Sequence, residues 1–161
     1  MSQSGSFGVN YKRTFTGTDA PLPAPLRAVG GSPEGEFVFV QADGAIDQYG
    51  FVKIEQDGQA AMLTTTNAGS QGLLVGVAQV AAADNEYLWV WVGGLNGGGA
   101  GKGIKGKLAA SYVAKNNLFT TATAGVADDA STTKIAYVVG LAATTGADAV
   151  ELGSVAHLKV N

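Results

Sequence analysis

Tyr87-Leu88-Trp89-Val90-Trp91-Val92 carries two apolar rows on one short run. Side chains of an extended strand point alternately to its two faces, so Tyr87, Trp89 and Trp91 share one side and Leu88, Val90 and Val92 the other. Both faces are apolar. At about 150–250 Å² per ring the aromatic row offers several hundred Å² of contact. Left in water it would match or exceed the largest patch of a typical monomer, roughly 300–600 Å². Either a second sheet of the same chain or another subunit must cover it.

The surrounding chain has the composition of an all-β domain. Charged residues make up 14% of the 161 positions and glycine occupies 24 of them. Typical soluble domains carry about 25% charge, and helical surfaces are dressed in Glu, Lys and Arg at i,i+4 spacing. Here Thr, Val, Ala and aromatics stand in short runs between turn residues. Strands are expected at 37–41, 51–55, 60–65, 73–80, 87–92, 111–114, 118–121, 134–142 and 149–158. Asp57-Gly58 is a hairpin dipeptide, and Ala83-Asp84-Asn85-Glu86 marks a second turn. This spacing predicts a small barrel or sandwich.

Two phrases recur. Leu63-Thr64-Thr65-Thr66-Asn67-Ala68-Gly69 is echoed by Phe119-Thr120-Thr121-Ala122-Thr123-Ala124-Gly125, and Leu74-Val75-Gly76-Val77-Ala78 by Val138-Val139-Gly140-Leu141-Ala142. The echoes predict two similar half-repeats, about 36–100 and 101–161, with extra residues placed in the 128–133 turn. Residues 1–35 differ. Pro21, Pro23 and Pro25 delete amide donors and fix φ, so this segment is expected to run as an extended arm ahead of a single β-rich domain at 36–161. Tyr11, Phe15, Leu22 and Leu26 give that arm apolar groups to bury on its own domain or on a partner.

Cysteine is absent and His157 is the sole histidine. Disulfides, thiolate sites and multi-histidine metal sites are therefore excluded. No signal peptide and no run of about 20 apolar residues is visible, and a net charge of −3 gives no reason to expect nucleic acid. Gly101-Lys102-Gly103-Ile104-Lys105-Gly106 satisfies a dinucleotide-loop string, and Gly101 through Lys107 a phosphate-loop string. The latter needs a Ser or Thr where Leu108 stands, and the former needs a helix that Asn116-Asn117 would stop. The stretch 93–107 reads as a flexible loop whose Lys102, Lys105 and Lys107 could touch an acidic neighbour. The acidic pairs Asp84/Glu86 and Asp148/Glu151 read as turn and solvated residues, and Asp128-Asp129 lacks the alternating oxygens of a calcium loop. The expectation is a soluble protein with no enzymatic activity, cofactor, metal, nucleic-acid or membrane partner. Its candidate contact residues are Tyr11, Phe15, Leu22, Leu26, Tyr87, Trp89 and Trp91.

Glu36-Phe37-Val38-Phe39-Val40-Gln41-Ala42, Ala45-Ile46-Asp47-Gln48-Tyr49, Gly76-Val77-Ala78-Gln79 and the phrase from Leu118 to Asp129 resemble small virion proteins of tailed bacteriophages, the head decoration or capsid cement proteins. The resemblance runs from about residue 34 to the C-terminus. It implies a β-rich protein made in the host cytoplasm and carried on the outer capsid surface. There it would stabilise the shell by bridging major capsid protein subunits, often as a homo-oligomer such as a dimer or trimer. On that expectation, loss of residues 1–30 leaves the domain folded and weakens attachment. The alternatives are another phage structural part, such as a tail or head-fibre base, or a carbohydrate-binding module with Trp89 and Trp91 stacking on sugars.

Overall fold

The computed structural model describes residues 9–20, 24–31, 34–69, 73–96, 103–130, 132–146 and 148–160. Among these residues the fold is all-β. Five strands, β3 (Glu34–Ala42), β4 (Phe51–Ile54), β5 (Gln59–Met62), β6 (Leu74–Ala78) and β7 (Tyr87–Gly93), form the first unit, and β1 (Thr14–Phe15) and β2 (Leu26–Gly31) join its sheet. Antiparallel pairs run β3–β7, β7–β6, β6–β4 and β4–β5. A short parallel pair, Gln41 with Gln59 and Ala42 with Ala60, returns β5 to β3. The first unit is a closed five-stranded barrel.

The second unit repeats that circuit. Strands β8 (Lys105–Leu108), β9 (Asn117–Thr120), β10 (Ala127–Asp128), β11 (Lys134–Val139) and β12 (Asp148–Glu151) pair as β12–β8, β8–β10, β10–β9 and β9–β11. Again only one pair is parallel, Leu108 with Ala127. The open edges meet through the bridge Gly140–Leu152. Mapping β3–β7 onto β8–β12 preserves every neighbour. Gln41–Tyr87 corresponds to Lys107–Ala149, Phe51–Val77 to Asn117–Val139, and Ala78–Val90 to Gly140–Leu152. Loops correspond too: Tyr49 N–H donates to Ala78 O and Lys115 N–H to Gly140 O, at 2.8 and 2.9 Å. Tyr49 and Lys115 both adopt positive φ, 64° and 67°.

Two similar half-repeats are therefore present, in a different register from the one the sequence echoes suggest. The offset is 66 from Tyr49 to Lys115 and 62 from Ala78 to Gly140, so the second copy is shorter between its third and fourth strands. The Leu63 and Phe119 phrases are neighbours in space and not counterparts. Thr65 N–H donates to Thr121 O, Gly125 N–H donates to Leu63 O, and the Thr65 and Thr120 hydroxyls lie 3.1 Å apart. Similar Thr-rich composition suits both because they face one another across the seam.

Each barrel fills its own interior. In the first, Val38, Val40, Val52, Leu88, Val90 and Val92 pack around the plug Ile46. In the second the plug is Tyr112, larger than Ile46, and Gly140 replaces Ala78 to make room. A Cβ on Gly140 would lie 2.8 Å from Tyr112 Cε1 and 2.5 Å from Leu108 Cδ1. The Tyr112 hydroxyl donates to Asn116 O and accepts from Gly140 N–H at 2.9 Å. Burial pushes the Tyr112 phenol above its usual 10.0, assisted by the Asp129 carboxylate and opposed by the Gly140 amide. A phenol held neutral in the fold but free to ionise when unfolded favours unfolding once pH passes the unfolded value. Stability is thus expected to fall from about pH 10 upward, and the alkaline limb should flatten in Tyr112→Phe. Denaturant titration across that range checks this.

Three expected elements differ. Residues 105–107, placed in a flexible loop by their glycines, belong to β8. Residues 111–114 are a turn with Ser111 at φ 69°, not a strand. Beyond Glu151 the chain continues as single bridges rather than a strand to 158: Leu152 meets Gly140 of the second barrel, and from Val155 the chain lies along the first barrel, with Val160 also bridging Ile135 of the second. Leu158 N–H donates to Val92 O, Val75 N–H to Leu158 O and Val160 N–H to Leu73 O.

The N-terminal segment is also more than an arm. β1 pairs with β7 (Phe15 with Tyr87) and β2 pairs with β3 from Leu26–Phe39 to Gly31–Glu34. A boundary at residue 35 would cut this hairpin. Removing residues 1–30 would strip β1 and most of β2 from the sheet while leaving the five strands of the closed barrel.

Candidate interaction surface

The outward row of β7 and the matching row of β3 meet side by side, because Phe37 pairs with Trp91 and Phe39 with Trp89. Phe39 packs on Trp89 and Tyr87 with ring centroids 5.0 and 5.7 Å apart. The N-terminal segment lies over this row. Tyr11 stacks on Phe37 at 5.5 Å, and Phe15 meets Phe39 edge-on at 5.7 Å. Above them the Arg13 guanidinium sits 5.0 Å from the Phe15 ring and the Lys12 ammonium 5.6 Å from the Tyr11 ring. Such cation–aromatic contacts contribute about 0.5–1 kcal/mol each at exposed sites.

The predicted contact residues therefore separate. Trp91 is fully buried and Trp89 retains 4% of its surface. Both belong to the core between the barrels, so the aromatic face is covered by its own chain and those two residues are withdrawn as contacts. Tyr11, Phe15 and Tyr87 are half-buried, and Lys12 and Arg13 are exposed. Leu26 holds its register opposite Phe39, and Leu22 lies outside the described residues. One further cluster escaped the sequence reading. Glu36 Oε2 lies 3.2 Å from Arg27 Nη1 and 2.9 Å from His157 Nε2, tying β2, β3 and the C-terminal tail together. Polar groups scattered at positions 27, 36 and 157 leave no signal of this kind in sequence.

Trp91 Nε1 is buried without a hydrogen-bond partner among the described residues. Gly35 lies directly against it, since a Cβ there would stand 2.4 Å from the nitrogen. The absence of a side chain at Gly35 is what lets β3 and the indole approach so closely.

The described part of the glycine stretch is structural. Residues 97–102, including Gly101 and Lys102 of the loop strings, lie outside the described residues. At the following positions Gly103 N–H donates to Glu151 Oε1, Ile104 N–H to Asn96 Oδ1, Lys105 N–H to Gln79 Oε1 and Lys107 N–H to Tyr49 O. Amides already committed to protein acceptors are not free to cradle a phosphate, and the Glu151 carboxylate at Gly103 would repel one. Lys107 Nζ does meet an acid, Asp47 Oδ2 at 3.1 Å. Asp129 Oδ2 accepts from Val113 N–H and Asn116 Nδ2, so it braces a turn. The Asn116 hydrogen bond is the main reason its carboxyl is held below the usual carboxylate range.

No protein-family model, curated protein or solved structure matches the chain.

Proposed function

We propose that this protein works by adhesion, as a structural virion component that decorates a tailed-phage capsid and stabilises it by bridging major capsid protein subunits. Two things support the reading: the resemblance of residues 34–161 to head decoration proteins, and the character of the exposed N-terminal surface. That surface is the observation that carries it. Half-buried Tyr11 and Phe15 lie under the exposed Lys12 and Arg13, with half-buried Tyr87 in the same aromatic cluster, the mixture of aromatic and cationic groups enriched where proteins grip one another. A closed barrel repeated in one chain is a stiff body, suited to passing load between neighbours. The carbohydrate alternative loses its platform, because Trp89 and Trp91 have no face to offer a sugar.

The test is co-sedimentation of purified protein with capsids stripped of it. Wild type is expected to bind saturably at many copies per particle. Lys12→Glu with Arg13→Glu should weaken binding at least about tenfold, in the range of lost interface anchors, while lowering stability by no more than the roughly 1–2 kcal/mol of the two lost cation–aromatic contacts. Absence of binding to capsids would reject the proposal. Incorporation at only a few copies would assign the protein to a tail or head-fibre base.

A further inference from the structure

The chain has no cysteine, so its sulfur chemistry is confined to two methionines, Met1 and Met62. Met1 lies outside the described residues. Met62 ends β5, paired with Val52, and its carbonyl accepts from Asn67 Nδ2 at 2.8 Å. Its side chain occupies the seam. A Cβ on Gly50 would lie 2.9 Å from both Met62 Sδ and Cε, and a Cβ on Gly125 would lie 2.9 Å from Sδ and closer still to Cε. The thioether thus rests against bare backbone from each barrel, and it fits because both positions are glycine. Met62 is half-buried, so solvent reaches the residue.

At this spot the 121–126 loop of the second barrel meets the first barrel. Gly125 N–H donates to Leu63 O at 2.8 Å, Phe51 N–H to Gly125 O at 3.0 Å and Thr65 N–H to Thr121 O at 2.8 Å. The Gly50 N–H is committed as well, to Asp47 O at 3.0 Å. A thioether asks nothing of these amides, because it is apolar and adapts to irregular gaps. A sulfoxide is polar, and a polar group enclosed without a hydrogen-bond donor is destabilising.

We propose that Met62 is a redox modification site, at which a hydroperoxide converts the thioether to its sulfoxide and loosens the 121–126 loop from the first barrel. A sulfur lone pair attacks one peroxide oxygen, the S–O bond forms and the O–O bond breaks. Sulfur loses two electrons and the peroxide gains them. With hydrogen peroxide, the proton on the transferred oxygen passes to the departing hydroxide, which leaves as water. The added oxygen enters a gap that two glycines keep narrow, where the Gly50 and Gly125 amides are already bonded. The Gln79–Lys105 pairing and the tail bridges do not involve Met62, so the barrels stay joined and the opening is local. The inference concerns the purified protein and does not rest on the capsid reading.

The experiment treats folded full-length protein with hydrogen peroxide and locates the added oxygen by peptide mass, which separates Met62 from Met1. Met62 is expected to gain one oxygen. Hydrogen exchange should then accelerate at Phe51, Thr65 and Gly125 by at least about tenfold, the scale of one buried polar group left unpaired. The β3–β7 amides should not change. Treatment with methionine sulfoxide reductases should restore slow exchange. Met62→Leu, close in volume and without sulfur, should keep slow exchange through the same peroxide treatment. The proposal is overturned if Met62 resists peroxide until the protein is unfolded, or if its sulfoxide leaves those three amides slow. Equal acceleration at the β3–β7 amides, or a Met62→Leu protein that responds as wild type does, overturns it too.

Discussion

Gly93→Ala is expected to destabilise the fold by on the order of 3 kcal/mol, by combining backbone strain with a clash that cannot relax. Gly93 ends β7 at φ 148°, a conformation L side chains rarely adopt. A Cβ there would lie 2.6 Å from Ala156 O and 2.9 Å from His157 Cα. Both atoms belong to the backbone of the returning tail, so neither can swing aside as a side chain would. The tail is held to the first barrel by Gly94 N–H to Val155 O and Leu158 N–H to Val92 O, at 2.6 and 2.7 Å. Pushing it outward strains both bonds and uncovers Leu158 and Val160. Urea denaturation should show a lowered midpoint, and limited proteolysis should cut first between 153 and 160. An unchanged midpoint would mean that the tail is not fixed against β7. Gly146, which has nothing within 4 Å of its Cβ position, is the control, and its alanine variant should behave as wild type.

Gln79→Leu is expected to cost a comparable amount, roughly 3 kcal/mol, by a different route. The Gln79 side chain is 6% exposed. Its Nε2 donates to Lys105 O at 2.8 Å and its Oε1 accepts from Lys105 N–H at 3.1 Å, so the amide acts as one rung of a β ladder between the barrels. Leucine has a similar volume and cannot make either bond. Two backbone groups are then left buried and unpaired, at about 1–3 kcal/mol each. The effect should be local to the seam. Hydrogen exchange is expected to accelerate at Lys105 and Lys107 more than at the β3–β7 pairs inside the first barrel. Gln79→Glu separates shape from hydrogen bonding, because its carboxylate accepts from Lys105 N–H yet cannot donate to Lys105 O. It should fall between wild type and leucine. If leucine proves neutral, the Gln79 rung contributes nothing to holding the barrels together.

Much of this architecture is legible in the amino-acid order because local pattern and tertiary environment agree. The β7 run alternates correctly: Leu88, Val90 and Val92 fill the first barrel while Trp89 and Trp91 enter the core between the two. Asp57-Gly58 makes the β4–β5 turn, with Gly58 at φ 86°. The repeat is detectable, yet its register is not, since the matching Thr-Gly phrases reflect contact across the seam. β8 was hidden because Lys105-Gly106-Lys107 has neither branched nor aromatic residues. Its strand form comes from outside itself, from the amides of Asn96 and Gln79 and from Phe51, whose ring occupies the space beside Gly106. Gln79 reads in sequence only as the polar residue interrupting an apolar run, and nothing local reveals its partner 26 residues away. The surface is the least legible part. Tyr11 and Phe15 stand out as aromatics in a polar segment, but Arg27, Glu36 and His157 are joined only by tertiary structure.

The segment from Val155 to Val160 also couples the two barrels. Leu158 N–H donates to Val92 O and Val75 N–H to Leu158 O in the first, while Val160 bridges Ile135 in the second. Neither barrel can shift along this shared segment without disturbing the other.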